Sequence, residues 1–168
     1  AGGSLDPNLD QLEARARARG LPLCSLRVGP GLHPRVRWDL AGDALLLDGE
    51  PLRPSAIFLR HDVFAAMKDP RPAVAERAMA WHTLVSGWAL AHDEVRVPNR
   101  RSRQYGANKP LALQLARRVG LRVPATAFTN DVAALRQGPA WPRVVKPIDG
   151  GALCEPLEDV LARTPEHD

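Results

Sequence analysis

Lysine is what this sequence has least of for a basic chain. Only Lys68, Lys109 and Lys146 occur among 168 residues, although Lys and Arg together number 23 against 19 Asp and Glu. The net charge of +4 and the pI of about 9.7 therefore rest on arginine. An Arg-, Ala- and Pro-rich composition of this kind points first to a GC-rich genome. Cysteine is nearly absent too: Cys24 and Cys154 stand far apart, with no CxxC partner. They read as two buried or semi-buried free thiols, which suits a reducing cytoplasm. Without a Cys/His cluster no zinc site is expected. No apolar run nears the roughly 20 residues of a membrane span, so no membrane partner is expected. The opening Ala1-Gly2-Gly3-Ser4-Leu5-Asp6-Pro7 has neither a basic leader nor an apolar core, so no signal peptide is expected. Walker A, GxGxxG and GxSxG patterns are missing, which removes the usual P-loop, dinucleotide and nucleophile-elbow readings.

What is present is the pattern of an α/β protein. Asp6-Pro7 is a helix start, Leu5, Leu9, Leu12 and Ala16 recur at helical spacing, and Gly20 is the stop. Arg15, Arg17 and Arg19 read as a solvated face near the helix end. Residues 21–28, 35–40 and 44–48 read as strands, the last two joined through Gly42-Asp43 as a hairpin, with a second turn at Asp48-Gly49. Residues 55–60 form a short apolar strand that ends in Arg60-His61-Asp62, and the carboxyl ends of parallel strands are where open α/β sheets hold ligands. Arg60 and His61 are therefore candidate substrate or phosphate contacts, against the plainer reading of solvated charges at a strand end. Residues 72–92 give the longest helical pattern, with Val74, Ala78, Trp81, Leu84, Val85 and Trp88 on its apolar face and Gly87 as a weak point. Its tryptophans read as core.

Asn99 to Gly106 is polar, basic and without apolar period, and marks a linker over 99–107. Arg101 in it is a further candidate contact. One basic stretch with a single Tyr is thin support for a nucleic-acid partner. Beyond it, Asn108 caps a helix that holds Lys109, Pro110, Leu111, Leu115 and Val119 and ends at Gly120. A strand interrupted by Pro124 follows, then Thr129-Asn130-Asp131 capping a short helix, a strand over 141–147, a loop at Asp149-Gly150-Gly151 and a helix over 156–163. None of the five histidines shows ligand spacing, and His82 and His92 read as packed or exposed rather than metal-bound.

Asn108-Lys109-Pro110, then Gly120-Leu-Arg-Val-Pro124-Ala-Thr126, then Thr129-Asn130-Asp131, then Val144-Val145-Lys146-Pro147 and Gly150-Gly151, in that order and spacing, resemble the opening of the ATP-grasp fold. The likeness is closest to the RimK-like ligases, and within them to maturases of ribosomal peptides of the microviridin/graspetide type. It covers residues 99–163 closely and the earlier residues loosely. It implies a pre-ATP-grasp, Rossmann-like domain over 1–98 and the first, incomplete part of an ATP-grasp domain over 108–168. The first strand of that pre-ATP-grasp domain is missing before Leu5 on this reading. The resemblance further implies Lys109 near phosphate, Lys146 at the adenine or α-phosphate, and Gly150 and Gly151 letting backbone N–H groups approach the phosphates. A helix start also suits a phosphate-binding lysine, because the ammonium adds to the positive end of the helix dipole.

The implied cofactors are ATP and Mg2+, with the magnesium ligands and catalytic residues expected outside these 168 residues. The implied parent is a ligase that activates a carboxylate as an acyl phosphate for an amine or hydroxyl, with a carboxylate substrate or a precursor peptide as partner. The chain alone is expected to be inactive. A non-catalytic peptide- or partner-binding module derived from such a protein is the alternative. The sequence leaves the oligomeric state, including a homo-oligomer, open.

Overall fold

A computed structural model of the chain describes residues 1–60, 69–98, 108–138, 141–148 and 153–164. It is a mixed α/β structure with one principal core. Strand β1 (Gly2–Gly3) leads into helix α1 (Pro7–Ala18), which returns the chain to β2 (Arg27–Val28), parallel to β1. The parallel arrangement widens through backbone hydrogen bonds. Arg60 N donates to the Ala1 carbonyl, Ala1 N donates to the Phe58 carbonyl, and Ile57 N donates to the Arg96 carbonyl. Residues 26–28, 1–3, 57–60 and 96 thus lie side by side. The expectation that no strand precedes Leu5 is corrected here: Gly2-Gly3 is that strand. Its brevity and lack of side chains hide it from any hydrophobic pattern. Gly2 is demanded by contact, since a Cβ there would stand 2.8 Å from the Arg60 Cβ.

Strands β3 (Val36–Asp39), β4 (Leu45–Leu47) and β5 (Glu50–Leu52) form an antiparallel meander. The tight turn between β4 and β5 places Asp48 at φ +51° and Gly49 at φ +91°, the left-handed pair that an Asp-Gly hairpin turn requires. The fourth strand of this sheet comes from far along the chain. Strand β6 (Ala127–Thr129) pairs antiparallel with β3, giving the order β5-β4-β3-β6.

Helix α2 (Pro72–Ala91) spans 20 residues and packs across the molecule, burying Val74, Ala78, Trp81, Leu84, Val85 and Trp88. Helix α3 (Lys109–Arg118) lies against it. Trp38 and Leu45 of the meander, Leu111 of α3 and Val28 of β2 are fully enclosed in the same core. The indoles also find polar partners: Trp38 Nε1 donates to the Gly42 carbonyl and Trp88 Nε1 to the Asp43 carbonyl. The chain closes with α4 (Val132–Arg136), the short antiparallel pair β7 (Val144–Val145) and β8 (Glu155–Pro156), and α5 (Leu157–Arg163).

The expected apolar faces are trimmed in the structure. Leu9 and Ala16 of α1 are buried while Leu5 is exposed, and Val119 lies exposed beyond the end of α3. The strands expected over 21–28, 121–128 and 141–147 shrink to two or three paired residues each. Cys24 and Cys154 are free but exposed, not buried or semi-buried. Each sits in an irregular segment just before a two-residue strand, where no core layer covers it.

Gly87 is explained by this packing. A Cβ there would lie 2.4 Å from Asn108 Oδ1 and 2.9 Å from the Pro110 Cβ, so the amino end of α3 rests on the bare backbone of α2. An alanine would gain about 1 kcal/mol of helix propensity. It would also overpack the crossing, at about 1–3 kcal/mol, and disturb the Asn108 cap, worth about another 1 kcal/mol. Gly87→Ala is therefore expected to destabilise the fold by about 1–3 kcal/mol, read as a lower urea midpoint. An unchanged or raised midpoint would show that the crossing has room to spare.

Candidate functional site

The site expected around Lys109 begins with the capping of α3. Asn108 Oδ1 accepts from Leu111 N at 2.9 Å, satisfying one of the free amides of the first turn, and Pro110 occupies that turn without needing a donor. The same side chain turns its Nδ2 to the Thr83 carbonyl of α2 at 3.0 Å. A single asparagine thus starts the helix and fixes its origin on its neighbour, which sets where Lys109 leaves the backbone. Lys109 Nζ reaches the Pro147 carbonyl at 2.6 Å. Pro147 directly follows Lys146, which is exposed at the carboxyl side of β7. The contact therefore draws together the helix start and strand end that carry the two lysines. Gly150 and Gly151 lie outside the described residues, as do His61 and Arg101.

Arg60 is engaged elsewhere. Its Nε donates to Asp6 Oδ2 at 2.7 Å, in an ion pair whose carboxylate side chain is fully buried and whose guanidinium is about one-third exposed, at 35%. Asp6 is also the cap of α1. Its Oδ1 accepts from Asn8 N at 2.9 Å and from Asn8 Nδ2 at 3.2 Å. Burial pushes the Asp6 carboxyl up. The hydrogen bonds from Arg60 and Asn8 outweigh burial and hold it below the usual carboxylate range.

Beside this pair stands a second cluster. Arg27 of β2, only 11% exposed in its side chain, donates Nη2 to Asp10 Oδ1 at 3.0 Å and Nε to Glu13 Oε1 at 2.9 Å. Ser25 Oγ gives Glu13 a further bond at 2.6 Å, and this, then Arg27, holds the Glu13 carboxyl below its ordinary range against the effect of burial. Neither cluster was expected from the sequence. The one available signal was the spacing of Asp10 and Glu13 on one face of α1, which asks for a cation on whatever packs against it.

The Thr129-Asn130-Asp131 triplet has a structural account. Thr129 Oγ1 accepts from Asp131 N, Asp131 Oδ1 caps α4 through Ala134 N, and Asn130 clips β3 by accepting from Val36 N at 2.8 Å and donating to the Pro34 carbonyl at 3.1 Å. His92 is buried between Trp88 and Trp38, with ring centroids 4.6 and 5.7 Å away, and its Nδ1 lies 2.7 Å from the Trp88 carbonyl. Among the described residues no group of three or more His, Cys, Asp or Glu stands together in a way that could hold a metal ion. No helix among them is long and apolar enough to cross a membrane.

Comparison with known proteins adds no relative: no family model, curated protein or solved structure matches the chain.

The Asp6–Arg60 pair yields a pH prediction. A carboxyl whose folded pKa lies below its unfolded value of about 3.9 contributes stability that is complete above that value and is lost as pH falls through the depressed folded value. The native protein should therefore lose stability as the pH drops below about 4, and Asp6→Asn should flatten part of that fall. Arg60→Ala strands a buried carboxylate. Such losses run at about 3–5 kcal/mol when both partners are buried, and the partial exposure of Arg60 reduces this to about 2 kcal/mol. Denaturation midpoints measured between pH 2 and 7 check both, and parallel curves for the native protein and Asp6→Asn would refute the assignment.

Proposed function

We propose that the chain is the ATP-facing part of an ATP-dependent ligase of the ATP-grasp type, which activates a carboxylate as an acyl phosphate for attack by an amine or hydroxyl. The observation that carries this reading is the 2.6 Å bond from Lys109 Nζ to the Pro147 carbonyl, one residue beyond Lys146. Two of only three lysines in the chain belong to the elements that this bond joins. The parallel run of residues 26–28, 1–3, 57–60 and 96 supports the Rossmann-like part of the same reading.

On this reading Lys109 adds a compact positive charge to the positive end of α3, and Lys146 adds a second from the strand side, so the polyphosphate is held by cations from two elements. Binding and orientation of ATP are what these residues contribute. The described residues do not assemble a magnesium site, and no step is assigned through that ion. A ribosomal precursor peptide is the substrate class that the likeness to peptide maturases favours. The competing reading, a binding module derived from such a ligase, predicts partner binding with no ATP affinity at all.

The test is ATP affinity by isothermal titration. A charge-assisted contact of about 1.5–3 kcal/mol corresponds to roughly a tenfold to a hundredfold change in Kd. Lys109→Ala and Lys146→Ala should each weaken ATP by that factor, while Lys68→Ala leaves it unchanged. Equal and negligible effects of all three would overturn the site, and absence of any ATP binding by the unaltered protein would favour the binding module.

A further inference from the structure

The parallel strands flanking β1 continue past it on one side, and a cavity of about 480 Å3 lies between them. Its walls are residues 22–27 on one side and 52–58 on the other, roofed by Leu9 and Leu12 of α1. The hydrogen bonds reveal what kind of object fits. On the β2 side Gly2 N donates to the Leu26 carbonyl and Ser4 N to the Val28 carbonyl, so alternate residues of β1 face this neighbour. On the other side Ala1 N donates to the Phe58 carbonyl and accepts from Arg60 N, so the intervening residues face residues 58–60. Carried one step along each wall, the same parallel ladder calls for the Cys24 carbonyl and Leu26 N–H on one side and the Ala56 carbonyl and Phe58 N–H on the other. None of these four groups has a backbone partner among the described residues. Two facing rows of backbone donors and acceptors in the alternation of a parallel sheet are the imprint of a central strand.

We propose that this slot seats an extended polypeptide strand that joins Ala1 through its nitrogen, making Gly2-Gly3 the carboxyl end of a longer β1. The residue bonded to Ala1 pairs with Cys24 and Leu26, and the one before it pairs with Ala56 and Phe58. The composition of the strand follows from the walls. Leu9, Leu12, Leu23, Leu26, Leu52 and Ile57 line the slot, so the strand is covered on both faces. A parallel strand so covered carries a continuous apolar, β-branched run rather than an alternating one. A separate peptide is a poorer occupant, because its carboxylate would have to end against the Ala1 nitrogen within an apolar slot.

The experiment compares the protein extended at Ala1 by Val-Ile-Val-Ile with the same protein extended by Gly-Ser-Gly-Ser, reading amide hydrogen exchange. The apolar extension should slow exchange at the Leu26 and Phe58 amides by about a hundredfold or more relative to the polar one. Ile57, whose amide is already bonded to Arg96, serves as the folding control. Leu12→Asp in the apolar-extended protein should remove the added protection at Leu26 and Phe58 and leave Ile57 protected. Equal exchange at Leu26 and Phe58 in the two extended proteins would overturn the proposal. So would matching protection from the free apolar tetrapeptide added to the unextended protein, which would make the slot a dock for a separate chain.

Discussion

Helix α2 can receive helix α3 only because residue 87 has no side chain. The contact is a close approach of backbone to a polar cap, not a broad apolar seam: Asn108 and Pro110 sit where a Cβ would be. Much of the molecule depends on that crossing. It places Asn108 where its amide reaches Thr83, it buries Leu111 in the common core, and it fixes the point from which Lys109 departs. The chain then leaves α3 at Gly120, in a left-handed conformation at φ +83°, and goes on to lay β6 against β3. Loss of the crossing would separate the second half of the chain from the first at two places together.

The front of the molecule is organised by charge in a small space. Asp6, Asp10 and Glu13 of α1 meet Arg27 and Arg60 from the two strands that flank β1. Removing such pairs from water is costly, and they persist because further donors complete each carboxylate: Asn8 for Asp6, Ser25 for Glu13. These bonds register the helix over the sheet, which apolar contacts through Leu9 and Ala16 alone would do loosely. They also give Arg60 an occupation that its place at a strand end does not suggest.

The sequence was most legible where local chemistry decides the outcome. The caps at Asp6, Asn108 and Asp131, the Asp-Gly turn and the stops at Gly20 and Gly120 all stand where residue type placed them. Helix α2 was legible because its apolar period runs for 20 residues. What could not be read was pairing over distance. Nothing in Ala127-Phe128-Thr129 announces that its partner is β3, and nothing in Gly2-Gly3 announces a strand. The exposed cysteines were misjudged for a related reason, since residue type predicts burial only where an element exists to bury it. Of the candidate site, the two lysines were legible as unusual residues in a suggestive pattern. The carbonyl that Lys109 engages belongs to a proline with no side-chain signal, so the contact could not have been anticipated.

The pairing of β6 with β3 has a consequence in time as well as in space. Val36 and Asn130, which bond across that junction, are 94 positions apart. As the chain emerges from the ribosome at roughly 5–20 residues per second, the meander β3-β4-β5 is exposed for about 5–20 s before its fourth strand exists. Throughout that interval the outer edge of β3, with Trp38 at its centre, offers an unpaired ladder to any other nascent chain. The arginines at 35 and 37 flank that edge, and like charges on two such edges discourage them from pairing with each other until Ala127–Thr129 arrives.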